Sequence, residues 1–474
     1  MRKNVFFPAL SIFICIAGAF GGTRYVDKNN SSPQTPFTNG WASAAVTIQE
    51  AIDVAVSNDV ILVAPEVYDS GSRRDLNVWN VHAVSNRVVV TNYLTVMAFS
   101  TNPADTVITG APDTRGGSPS NGDYAVRAVY LGPGTQLIGF TLSNGWSRWN
   151  TYSGGKGGGV FASADSIVSN CVVINNYAYN GGGIYGGTSW NCRVSYNTAY
   201  NGGGLCNGVI FNSLIATNIA THFGGGGHGG SYFKCVIVSN LAVRGGGVCG
   251  AVLAQDCEIV RNAVTQIGAG AYEGMYVRCN ISGNNQFGGN NTGGAYKCNL
   301  YECVVSENFG NSYGGIYLGT MVNCLVYSNR SNAGGSGVHG VTYMLNSTVV
   351  NNTGVAGGIG GGGGFTNCII YGNTPSDFLA GTYYVSHICA VTNVGTFPGA
   401  VGVITNNPIF VDPATNNYRL NKKSPCIDKG LNTGWTANDV DLDGNLRILP
   451  KGGVVDIGAY EYVHPPAGLM IIGF

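Results

Sequence analysis

From Asn170 to Asn373, apolar and polar positions alternate in short segments that recur down the chain. Aligned on a small side chain they read NCVVINN, NCRVSYN, NSLIATN, KCVIVSN, DCEIVRN, RCNISGN, ECVVSEN, NCLVYSN, NSTVVNN and NCIIYGN. The shared position is Cys171, Cys192, Ser213, Cys235, Cys257, Cys279, Cys303, Cys324, Ser347 and Cys368, at steps of 21 to 24 residues. Two residues later a β-branched side chain stands each time (Val173, Val194, Ile215, Ile237, Ile259, Ile281, Val305, Val326, Val349, Ile370). Two residues earlier the side chain is mostly apolar (Trp190, Phe211, Phe233, Val277, Tyr301, Val322, Leu345). Apolar positions two apart predict strands with one buried face, and place these three columns on that face. Units of this length that repeat predict a solenoid in which each coil touches its neighbours. Parallel strands about 4.8 Å apart make ten such coils a rod of about 45 to 50 Å. The expected fold is all-β: a right-handed, single-stranded parallel β-helix.

Two further columns mark its turns. Five residues after each Cys or Ser stands an Asn: 176, 197, 218, 240, 262, 284, 308, 329, 352 and 373. Asn tolerates left-handed backbone, so a turn is expected there, and stacked amides can bond one another as a ladder. Glycine runs (Gly181 to Gly183, Gly202 to Gly204, Gly224 to Gly227, Gly245 to Gly247, Gly293 and Gly294, Gly314 and Gly315, Gly361 to Gly364) mark a second turn. Asn176, Asn197, Asn218, Asn240, Asn262, Asn284, Asn308, Asn329, Asn352 and Asn373 are read as structural. So are Cys171, Cys192, Cys235, Cys257, Cys279, Cys303, Cys324 and Cys368, as small core hydrophobes. Thiols one coil apart on parallel strands point the same way, which disfavours disulfides in this column. Cys298 and Cys303 are near enough in sequence to pair.

Ahead of the repeat, Arg24 to Asp27 reads as a strand. Thr47 caps a helix over Ile48 to Val56 whose Ile48, Ala51, Ile52 and Ala55 share a face. That helix is expected to cover the open end of the first coil. Residues 22–70 form this cap, 71–388 the β-helix with regular coils over 167–376, 389–462 its C-terminal end, and 463–474 a short apolar tail. The polar stretches 111–123 and 144–156 read as loops off the rod, where function concentrates.

Charge narrows the partners. Lys and Arg total 24 against 24 Asp and Glu, with no basic stripe for nucleic acid. Residues 1–21 have the pattern of a signal peptide: Arg2 and Lys3, then a largely apolar run, then Ala17-Gly18-Ala19. Beyond it no apolar span is long enough for a membrane helix. The protein is therefore expected to be exported, extracellular or at the cell surface. Its oligomeric state has no signature in the repeat.

The stretch from YVD through Pro36-Phe37 and the amphipathic helix to VAPEVY resembles the opening segment of the pectate-lyase-like β-helix superfamily, with Glu66 in place of the usual Gly. NNPIFVDP, YRL, SPCIDKG, DLDGNLR and VDIGAYEY resemble a terminal segment of many secreted bacterial β-helix proteins. The GGG-apolar and later Cys-x-Val/Ile-x-x-Asn pattern is similar to repeats of polymorphic outer-membrane proteins. These resemblances imply an extracellular polysaccharide as ligand, or a non-enzymatic, adhesin-like rod at the cell surface.

Candidate chemistry is sparse. Asp256, Glu258 and Arg261 form the one acid–base patch on the strands, beside a column whose charges alternate from Lys234 through Asp256 and Arg278 to Glu302. Alternating signs on adjacent strands are equally expected as simple pairing. After the glycine turn, Tyr272, Tyr296 and Tyr317 fall on three adjacent coils, facing outward with Cys206 and Cys249 of the same column. Such a strip suits sugar rings, as do Trp146 and Trp149 near Tyr179 and Tyr200. Asp439, Asp441 and Asp443 are spaced like the first half of a calcium loop, making Ca²⁺ the one cofactor suggested. Position 12 is Pro450 instead of Glu, so the alternative is a tight loop with Arg447 paired to one of the carboxylates.

Overall fold

The computed structural model describes residues 21–463 except 75–83, 92, 118–119, 150–152, 288–291, 356, 392–394, 436–437 and 449–452. The signal-peptide pattern and the apolar tail lie essentially outside the described residues, as do Pro450 and parts of both loops. The rest is a parallel β-solenoid of about 10 turns. No described helix is long and apolar enough to cross a membrane.

The strands after the cysteines run from Val172–Ile174 to Ile369–Tyr371, each in register with the next. The β-branched column from Val173 to Ile370 is fully buried. Each coil turns at single left-handed residues. One precedes the cysteine, as at Asn191 (φ 52°) and Asp256 (φ 54°), and one precedes the ladder asparagine, as at Tyr196 (φ 56°) and Arg261 (φ 54°). The expectation that the ladder asparagines themselves take this conformation is thus corrected by one residue. The left-handed residue makes the corner and swings the following Asn side chain inward.

The same corner corrects the parity of the buried face. The left-handed residue before each cysteine consumes one step of the alternation. The position three before it therefore points inward (Ile210, Tyr232, Tyr276, Leu300, Met321, Met344, Phe365). The position two before it points outward, where Trp190, Phe211 and Phe233 stack at 3.9 and 4.7 Å. The third corner is glycine for steric reasons. A Cβ on Gly182 would lie 2.5 Å from the Thr198 carbonyl oxygen, and one on Gly183 2.6 Å from that of Gly204. In the last regular coil the corner equivalent to these falls at Gly357 and Gly358, ahead of the Gly361 to Gly364 run, because Ile359 pairs with Val338.

The asparagines form a continuous buried ladder. Each Nδ2 donates to the next Oδ1 at 2.9 to 3.1 Å, from Asn176 to Asn373. The backbone N–H of each Asn donates to the same Oδ1, as in Asn262 to Asn284 at 2.9 Å. The second Nδ2 hydrogen reaches a carbonyl of the preceding coil, as in Asn262 to Ile237 at 2.9 Å. The amide-to-amide bonds therefore all run toward the C-terminus, and the last rung needs an acceptor. Asp377 supplies it, taking Asn373 N and Nδ2 at 2.9 and 3.0 Å. The thiols of the ladder cysteines from Cys171 to Cys368 are free and buried, each bonded to carbonyls, as in Cys257 to Gln255 O at 3.2 Å. Burial pushes the Cys171 thiol up to about 11. Cys298 and Cys303 are free as well.

The helix spans Ile48–Asp53, ending before Val56, with a capping box between Thr47 and Glu50. Its Ile48, Ala51 and Ile52 are buried in the solenoid core. At the other end Phe397 packs on Phe378 and Tyr383 at 5.0 and 5.8 Å. After the last strand of the solenoid, Val401–Ile404, the chain folds back along the flank of the final coils through a short antiparallel pair, Phe410–Asp412 and Asn417–Leu420. Tyr418, Leu420, Cys426, Ile457, Ala459 and Tyr460 pack there on Leu325, Val350, Ile369 and Cys389. The corner column changes from charged residues to Asn where this segment docks: Asn323 bonds Val440 O and Arg447, Asn346 bonds Asp456 O, and Asn367 bonds Leu431 O.

One buried guanidinium, Arg447, anchors this segment. It bonds Glu461 at 2.7 Å and Gly458 O at 3.1 Å, with Asp441 and Asp456 beside it. Burial favours the protonated form of Asp456 and Glu461. Burial pushes Asp456 up to about 6 and Glu461 up to about 7. Raised folded values mean that the docked segment holds protons which the free segment loses. Their contribution is complete below the unfolded values near 4 and is lost as pH rises through 6 to 7. Docking is expected to be tighter at pH 5 than at pH 8. The check is the temperature at which residues 405–463 become protease-sensitive at the two pH values.

Candidate functional site: an aromatic seam along the glycine corner

The residues just after the glycine corner alternate as strands require. Ile184, Leu205, Val248, Ala271, Ala295, Ile316 and Val338 are buried in the core. Their successors form an outward column in register: Tyr185, Cys206, His228, Cys249, Tyr272, Tyr296, Tyr317 and His339. Across the corner, the strands after the ladder asparagines contribute Tyr179, Tyr200, His222, Phe223 and Arg244.

Ring contacts join these into one seam. Tyr179 stacks on Tyr200 at 4.7 Å, Tyr200 meets His222 at 4.8 Å, and His222 meets Phe223 at 3.9 Å. Phe223 touches His228 at 5.7 Å and Tyr272 at 6.2 Å, which carries the seam across the corner. From there it runs through Tyr296 at 5.0 Å and Tyr317 at 5.5 Å, and Tyr317 meets His339 at 5.8 Å. Cys206 and Cys249, expected outside, are buried. Cys249 lies between His228 and Tyr272, the gap that Phe223 spans, and Cys206 lies between Tyr185 and His228, with His228 Nδ1 3.9 Å from its sulfur.

Cations line the seam. The Lys156 ammonium lies 4.7 Å from the Tyr185 ring, Lys297 lies 5.4 Å from Tyr296, and the Arg244 guanidinium 5.6 Å from Phe223. Burial holds His222, His228 and His339 below the usual imidazole range, so they are neutral at pH 7. Tyr272 stacks on Tyr296 and Tyr313 on Tyr317, which spends these ring faces on one another.

Trp149 differs. The two loops off the rod dock on each other: Asn121 Nδ2 donates to Ser147 O at 2.5 Å, Trp149 N to Asn121 O at 3.1 Å, and Arg148 pairs with Asp123 at 2.8 Å. This sets Trp149 perpendicular to Tyr179 and Tyr200, at 5.6 and 6.4 Å, with 46% of the residue exposed. Trp146 is placed apart, stacked on Tyr177 at 4.0 Å within the strand ladder. The sequence identified the tyrosine strip but missed Phe223, His222 and His228. At this coil Gly227 takes the place of the column's apolar residue, in register with Leu205 and Val248, which removes the pattern that marks His228 as the next member.

The acid–base patch is not brought together. Asp256 is held by Arg278 at 2.7 Å, which keeps its carboxyl below the usual range, and Arg278 reaches Glu302 at 3.7 Å. Among the described residues no hydrogen bond or ion pair joins Glu258 or Arg261 to Asp256. Asp439, Asp441 and Asp443 do not converge either. Asp441 accepts from the backbone N–H groups of Asp443, Asn445 and Glu461, Asp443 pairs with Arg419, and Arg447 N bonds Asp439 O. Among the described residues no group of three His, Cys, Asp or Glu is arranged to hold a metal ion.

No protein-family model and no curated protein matches the sequence. Among solved structures, pectate lyase Pel9A is similar at 13% identity and TM-score 0.31, over 94% of this chain and 97% of that one. A rhamnogalacturonan lyase gives 13% and 0.30 over 80% and 87%. The A-module of the mannuronan C-5 epimerase AlgE4 of Azotobacter vinelandii gives 13% and 0.35 over 79% and 100%. Scores this low carry no argument for a shared activity.

Proposed function

We propose that this is an exported solenoid that binds an extracellular polysaccharide along the aromatic seam, with Trp149 as the platform for one sugar ring. The observation that carries this is the half-exposed Trp149, held by two docked loops at the end of a row of tyrosine hydroxyls and cations. An aromatic face takes the apolar side of a sugar, and hydroxyls and cations take its polar rim. Binding without turnover is the form the chemistry favours, since Asp256 is committed to Arg278. Trp149→Ala is expected to weaken binding about tenfold to hundredfold, from the apolar contact area lost. Titration of wild type and variant against uronic-acid and neutral polysaccharides, with and without Ca²⁺, measures it. Equal affinities would remove Trp149 from the site.

A second reading, a non-enzymatic cell-surface rod, is favoured by the mutual stacking of Tyr272 and Tyr296, which spends ring faces on the solenoid itself. It predicts no saturable binding to any polysaccharide.

A further inference from the structure

The ladder thiols lie on parallel strands and point the same way, but one pair of cysteines enters a shared core from two different elements. In the strand Tyr383–Ala390, Ile388 and Ala390 belong to the solenoid core. Cys389 between them points the opposite way, into the small core beneath the C-terminal segment. Cys426 enters that same core from the segment. Both residues are fully buried at 0% exposure, and their thiols are within hydrogen-bonding reach. Side chains that approach from facing elements have converging Cβ vectors, which is the arrangement a disulfide requires.

We propose that Cys389 and Cys426 are the site of a disulfide that staples the C-terminal segment to the last coil, formed by exchange with an external disulfide such as glutathione disulfide. One cysteine thiolate attacks the glutathione disulfide, displaces one glutathione thiolate and leaves a mixed disulfide. The second cysteine thiolate then displaces the other glutathione. Two protein thiols are oxidised to one S–S bond, the oxidant's S–S bond is reduced, and the two protons end on two glutathione thiols. The neighbouring Cys389 thiol and burial both hold Cys426 protonated once docked. Exchange therefore proceeds while the segment is undocked, and docking sets the pair for closure. The bond closes a loop of about forty residues, which restricts the free segment strongly.

The test uses the full chain incubated with glutathione disulfide at pH 8, then alkylated, digested without reduction and analysed by mass spectrometry. The expected result is a peptide linked through Cys389 and Cys426, with the other thiols alkylated. Independently, a reductant should lower the temperature at which residues 405–463 become protease-sensitive in the oxidised wild type, and leave Cys389→Ser unchanged. Two alkylated cysteines, a bond between other positions, glutathione adducts alone, or an equal reductant effect on Cys389→Ser would each overturn the proposal.

Discussion

Replacement of Asn262 by alanine is expected to cost about 4 to 6 kcal/mol, a cost shared by the other inner rungs of the ladder. The side chain closes four hydrogen bonds at once. It accepts Asn240 N and Nδ2 at 2.9 and 3.0 Å, and donates to Ile237 O and to Asn284 Oδ1 at 2.9 and 3.1 Å. All of these groups are buried, so truncation strands donors and acceptors on two neighbouring coils with no water to take them. The loss is local at first, since a solenoid coil is held by its neighbours. Hydrogen exchange should show it as lost protection over residues 237–284, together with a lower thermal midpoint. Asn262→Ala at wild-type stability would mean that the ladder contributes nothing. Asn373 offers a comparison, because its acceptor is the Asp377 carboxylate instead of another amide.

Removal of the Arg447 guanidinium has the second largest expected effect. Arg447→Ala takes the one buried cation from a cluster of three carboxylates, Asp441, Asp456 and Glu461, and leaves Gly458 O and Asn323 without its donors. Breaking a buried pair in this way costs about 3 to 5 kcal/mol. The expected outcome is release of residues 405–463 with the regular coils intact: rapid proteolysis of the segment and exposure of Leu325, Val350 and Ile369 to an apolar dye. Release should be partly reversed at pH 5, where Asp456 and Glu461 take up protons, and that reversal separates lost charge balance from lost packing. A segment that stays docked at pH 8 would contradict the role given to Arg447.

Much of this architecture is legible in the sequence. The period, the β-branched column and the Asn column define coils and register, because a stacked fold repeats its demands at every turn. Side-chain direction was less legible, since one left-handed residue per corner shifts the alternation by a step. Trp190, Phe211 and Phe233 therefore read as core and lie outside. The C-terminal segment resembled a terminal motif, but its docking onto Asn323, Asn346 and Asn367 is a contact across more than sixty residues of sequence with no local signature. The seam was half visible. The tyrosines of one column could be aligned, whereas Phe223 crosses from another strand, and only the folded corner brings it to Tyr272.

The most direct test of the account is a polysaccharide array probed with the full chain and with Trp149→Ala, read both for binding and for unsaturated or shortened products. The account predicts saturable binding of the wild type to at least one polysaccharide, weakened at least about tenfold in the variant, and no product with either. Binding that ignores Trp149, turnover of any polysaccharide, or silence across the array would contradict it.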